Sequence, residues 1–189
     1  HCVYVYLLIL NTNTNRKKAI TKSISMKMKH IKLFAVVMLG GLILAGCKKK
    51  NKDEENEEEL ITTVKLTLTP VGGGSALVYS WKDVDGVGGS APVIQTVTLA
   101  PSKVYNCSVQ FLNESVNPAE DITPEVVTEG VDHQVYYAVS GGATLTVNGL
   151  NNDANGLPLG VTSVFTTGAA STGSLKITLK HKPGVKAAG

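Results

Sequence analysis

Apolar and polar residues alternate one for one from Ile61 onward. Val64, Leu66 and Leu68 interleave with Thr63, Lys65, Thr67 and Thr69, the pattern of a strand with one buried face and one Thr-rich solvent face. Pro70 and the Gly72-Gly73-Gly74 turn end it. Leu77, Tyr79 and Trp81 share one face of a second strand, and the single tryptophan reads as the large residue of the core. Residues 82–92 form a Gly-rich loop. Period-two segments follow at 93–99 and 104–112, with Ala100-Pro101-Ser102 between them, and further strands are expected at 133–140, 143–149, 160–167 and 174–181. The stretch 113–132 is the least strand-like. There, Thr123-Pro124-Glu125 suits a helix start and Gly130 a stop, so a short helix should cap one end. Eight short strands with no long amphipathic helix predict an all-β fold, an antiparallel immunoglobulin-like β-sandwich over residues 61–189. That length, about 130 residues, suffices for one core. Residues 183–189 read as loop, and a final strand beyond them would leave one sheet edge open here.

The chain in front of Ile61 follows another pattern. Lys27, Lys29 and Lys32 precede an apolar run at 33–44, which ends in Leu44-Ala45-Gly46-Cys47. A basic leader, an apolar run too short to span a bilayer and small residues before a cut form a secretory signal. Met26 and Met28 are the candidate starts, so 26–46 is the expected signal peptide. Residues 1–25 then read as an over-extended reading frame. Their apolar stretch at 3–10 is also too short to cross a membrane, and it is set outside the predicted fold. After Cys47, residues 48–60 read KKKNKDEENEEEL, too polar to bury anything, so 47–60 should be a disordered charged tether.

Removing the leader inverts the charge. From Cys47 onward, eleven lysines and no arginine face fifteen Asp and Glu, a net charge of −4 where the whole chain carries +3. No basic patch interleaved with aromatics survives the cut, which argues against a nucleic-acid partner. Of the three cysteines, Cys2 lies in the discarded leader and Cys47 at the cut, leaving Cys107 single. No intrachain disulfide is expected. Cys107 shares a strand face with Tyr105, Val109 and Phe111, so it reads as a buried small hydrophobe.

Two loops repeat an acidic theme, Asp83-Val84-Asp85-Gly86 and Asp153-Ala154-Asn155-Gly156. Alternating oxygen ligands before a glycine open several calcium loops, which makes Asp83, Asp85, Asp153 and Asn155 candidate Ca²⁺ ligands. Glu114, Glu120, Asp121 and Glu129 could complete such a site if all lie at one end. Neither copy has the glutamate that a calcium-binding helix–loop–helix places twelfth, and the same residues are the ordinary vocabulary of tight turns. Gly86 to Ala91 formally matches G-x-G-x-x-A, but it runs into Pro92 and a strand instead of opening a helix. His133 and His181 are the only histidines of the domain. Two nitrogen ligands without clustered cysteines fall short of the three that a catalytic zinc uses, and His133, beside Asp132 at a strand start, could equally be a surface or rim residue. Carboxylates at 120–129 show no spacing that argues for hydrolysis.

L-A-G-C resembles the lipobox of bacterial lipoproteins. The resemblance implies thioether lipidation of Cys47, cleavage before it and acylation of the new amino terminus. Two or more acyl chains, at about 0.8 kcal/mol per buried methylene, would hold the domain on a membrane. The basic-then-acidic block after it is similar to the export signal of Bacteroidota lipoproteins, with a plain spacer as the other reading, so the periplasmic and cell-surface faces both stay open. From about residue 56 the chain resembles a family of small uncharacterised Bacteroidota lipoproteins, through NEEELITTVKLTLTP, VDGVGGSAPVI, LNESVNPAEDIT and PLGVTSVFTTGAASTGSLKITLKHKP. That resemblance implies an acidic, Gly-containing linker and one more strand past this point. Relatives are sometimes labelled type 1 periplasmic-binding folds, but such folds need repeated βαβ units that this pattern lacks. The expectation is a non-catalytic, outer-membrane, lipid-anchored protein with no cofactor beyond a candidate Ca²⁺. Its sandwich would bind a ligand or partner or serve a structural role. A ligand- or metal-capturing partner of an outer-membrane transporter is one alternative, and a hydrolase with an unrecognised carboxylate site is another.

Overall fold

The computed structural model describes the backbone of Cys2–Asn11 together with residues 60–86 and 88–186. The expected signal peptide, the lipobox with Cys47 and nearly all of the tether lie outside these residues. The described elements are β1 Cys2–Asn11, β2 Thr63–Pro70, β3 Leu77–Lys82, β4 Val93–Ile94, β5 Val97–Leu99 and β6 Val104–Asn113. After them come β7 Glu120–Asp121, α1 Thr123–Thr128, β8 His133–Ser140, β9 Leu145–Asn148, β10 Thr162–Thr167 and β11 Ser171–His181. The described residues are all-β apart from the six of α1.

The strands make two sheets. The larger runs β4-β3-β2-β6-β10-β9 with β7 added beside β6, and the smaller runs β5-β1-β11-β8. Every ladder is antiparallel except that between β1 and β5. Alternation decides what goes inside. β6 buries Tyr105, Cys107, Val109 and Phe111 and turns Val104, Asn106 and Ser108 outward. Val64, Leu66 and Leu68 of β2 and Phe165 of β10 complete the larger sheet's inner face. They share one apolar cluster with Val97, Leu99, Val135, Leu175, Ile177 and Leu179 of the smaller sheet. Each such side chain contributes about 1.5–3 kcal/mol by leaving water. Burial also pushes the Cys107 thiol up to about 12, so it stays protonated within the core.

Three places differ from the pattern reading. Residues 93–99 do not form one strand. Val93 and Ile94 are exposed on β3, whereas Val97 and Leu99 are fully buried in the smaller sheet. Gln95 makes the break. Its N–H donates to the Ser80 carbonyl at 3.0 Å, and its Oε1 accepts from Ser80 N at 2.7 Å and Ser80 Oγ at 3.1 Å. The side chain thus takes over a ladder position and lets the backbone cross. Trp81 packs half-buried against the cluster, and the largest fully buried side chains are Phe111 and Phe165. Finally, Cys2–Asn11, which the sequence reading sets outside the fold, lies within the smaller sheet. It pairs with β11 from Cys2 opposite Lys180 to Asn11 opposite Ser171.

Candidate metal centre

The end of the fold where α1 meets β8 and β11 gathers the domain's two histidines. Thr123 Oγ1 accepts from the Phe111 N–H at 2.9 Å, and Ile122 N donates to the Phe111 carbonyl at 2.9 Å. These bonds tie the start of α1 to β6, with Pro124 in the first turn and Val126 fully buried beneath. Glu129 closes the helix, its N–H donating to Glu125 O at 2.8 Å. A tight turn through Gly130 and Asp132 then delivers the chain to His133 at the head of β8.

His133 lies directly opposite His181 as the last pair of the β8–β11 ladder. Directly opposed residues of antiparallel strands project to the same face, and the two imidazoles stack with centroids 4.5 Å apart and planes 8° from parallel. His133 is fully buried, which corrects its reading as a surface or rim residue, while His181 is half-buried. Nδ1 of His133 sits 3.1 Å from the Glu129 carbonyl. A carbonyl only accepts, so Nδ1 carries the proton and Nε2 keeps the lone pair in the neutral ring. The Glu129 carboxylate reaches the same spot: one ligand atom each from Glu129, His133 and His181 lies within 4.8 Å of the others. Among the described residues this group of three has the residue types and closeness to share a metal ion. The sequence offered one faint hint of it, the four-residue step from Glu129 to His133 at a helix end. The pairing with His181 comes from strand register and has no local signal.

The residues singled out for calcium are placed otherwise. Asp83 Oδ1 accepts from Gly86 N at 3.1 Å, and Asp85 Oδ2 accepts from Ser90 N at 2.8 Å, which holds the Asp85 carboxyl below its usual range. Both carboxylates close their own turns. Asp153 Oδ1 accepts from Asn155 N and Leu157 N, each at 2.8 Å. Its Oδ2 is paired with Lys186 Nζ at 2.7 Å, with both side chains all but closed off from solvent. The Lys186 ammonium is the first cause of the lowered Asp153 pKa. Lys186 also donates to the Gly130 carbonyl at 2.6 Å, so the pair braces the turn beneath the histidines. Asn155 contributes its N–H to this turn. Two of the supplementary acids have partners as well: Glu114 pairs with Lys82, and Asp121 accepts from Gln110 Nε2 at 2.9 Å and Thr123 N at 3.0 Å. Of those acids Glu129 alone joins the histidines. After Gly86–Ala91 the next element is the strand β4.

A shallow groove, about 450 Å³ in volume, lies along the outer face of β2 and β6 beside α1, lined by Thr67, Ser108, Gln110, Asp121, Thr123 and Val127. Among the described residues no helix is long and apolar enough to cross a membrane. No family model, curated protein or solved structure matches this chain.

Proposed function

We propose that this is a non-catalytic cell-envelope protein, anchored through lipid on Cys47 to the outer membrane, whose immunoglobulin-like sandwich binds a partner. The observation that carries the reading is the order of Leu44-Ala45-Gly46-Cys47 behind an apolar run and ahead of a charged tether that leads into β2. Two sheets over one core, and a strand that leaves one sheet at Ile94 and joins the other at Val97, support the finer fold assignment. The reading also suggests a way of binding. Cleavage before Cys47 separates Cys2–Asn11 from the domain and bares the edge of β11. An edge of that length accepts a partner's strand, with main-chain hydrogen bonds supplying affinity and alternate side chains supplying specificity.

Fractionating cells that express the full chain tests the anchor. The wild type is expected in the membrane fraction and labelled by a palmitate analogue, and Cys47→Ser in the soluble fraction and unlabelled. Membrane partition of Cys47→Ser equal to wild type would remove the lipid anchor from the account.

A further inference from the structure

We propose that Glu129, His133 and His181 form a binding site for a divalent transition ion of the zinc type. All three ligands lie in the described domain, so the inference stands apart from the anchoring reading. Two imidazoles and one carboxylate are the donor set that suits zinc, whereas calcium and magnesium demand oxygen. The tautomer of His133 is compatible with metal binding. His133 donates its Nδ1 proton to the Glu129 carbonyl, the arrangement by which ligating histidines are commonly held with the other nitrogen turned to the metal. The rings stack at 4.5 Å and 8°, which runs their in-plane lone pairs parallel, so a shared ion requires His181 to turn out of the stack.

Besides that rotation the group must close. Ligands about 2.0–2.1 Å from a tetrahedral zinc stand roughly 3.4 Å apart, against the 4.8 Å that encloses the three here. Glu129 reaches solvent at a helix end and His181 is the last residue of β11, so both have room to move toward the buried His133. Three protein ligands leave a fourth tetrahedral position for water or for a donor atom of a bound molecule. Loading would tie the end of β11 to α1 and the head of β8.

Zinc titration of the full chain, free of a polyhistidine tag and in competition with a chromophoric chelator, tests the site. The wild type should bind with a component that weakens by at least about tenfold in His181→Ala, a loss no smaller than that seen on removing outer-shell partners. Glu129→Gln should weaken the same component while its circular dichroism stays that of the wild type. Cobalt(II) should give a tetrahedral absorption spectrum in the wild type that His181→Ala loses. Zinc binding unchanged in both variants would assign the ion to ligands elsewhere in the chain, and no saturable binding would mean no site. Either result overturns the proposal. Should His181→Ala fail to fold, Glu129→Gln decides alone, since its side chain lies outside the core.

Discussion

At the scale of single residues, two positions hold the loop between β9 and β10. Gly160 adopts φ +82, and a Cβ there would stand 2.7 Å from the Val135 carbonyl oxygen. Backbone faces it, so nothing flexible can yield. The Gly160 carbonyl accepts from Tyr137 Oη at 2.8 Å and its N–H donates to Asn151 O at 3.1 Å, which fixes the residue on both sides. A side chain in this backbone region alone costs about 1–3 kcal/mol, and the clash adds to it. Gly160→Ala is therefore expected to lower the thermal midpoint by on the order of 10 °C, read by circular dichroism. The second position is Asp153. The Lys186 ammonium holds its carboxyl below the ordinary 3.8. A depressed folded pKa stabilises above the unfolded value, and that contribution disappears as pH falls through the folded value. Wild type should therefore unfold more readily as pH drops below about 4, the ordinary carboxylate range. Asp153→Asn should be less stable than wild type at pH 7, with the two urea midpoints converging in acid. Parallel midpoint curves from pH 7 into acid would show that the pair contributes nothing to folding.

Among elements, legibility follows the range of the forces that make them. β2, β6 and β11 are plain in the sequence because each carries a run of alternating buried positions along its own length. Val64, Leu66 and Leu68, or Leu175 and Ile177, announce a buried face without reference to any neighbour. The start of α1 is equally local, since Thr123 and Pro124 carry it. The break between β4 and β5 is not local. It depends on Gln95 meeting Ser80 across the sheet, and in the sequence Val93 to Leu99 is simply a β-prone run. Trp81 shows the same limit, because size and hydrophobicity point inward but β3 lies next to the edge strand β4. The candidate centre was half legible. Glu129 and His133 could be placed near one helix end, yet only the β8–β11 register brings His181 to them. Asp153 misled for a related reason, since its partner Lys186 lies in a stretch that reads as loop.

For the molecule as a whole, the decisive element is β1, because the sheet beside β11 has a place for one more strand and Cys2–Asn11 fills it. The pattern reading sets residues 1–25 outside the fold, yet Cys2–Asn11 pairs with β11 along its length. The consequence can be measured. β11 lies between β8 and β1, and in an antiparallel strand alternate residues turn their N–H groups to opposite neighbours. In a chain starting at Cys47, about half of the amides in the stretch Ser174–His181 should therefore lose their acceptors while the other half keep β8. Hydrogen exchange resolved by residue is expected to show that alternation along the segment that pairs with β8, Ser174–His181, with rapid exchange at every second position. A synthetic peptide of Cys2–Asn11 added to the shortened chain should slow those same positions again and leave the β8-facing ones unchanged. Uniform protection of β11 with and without residues 1–11 would mean that β1 contributes no ladder. Alternating exchange that the peptide reverses would establish the β11 edge as a strand acceptor.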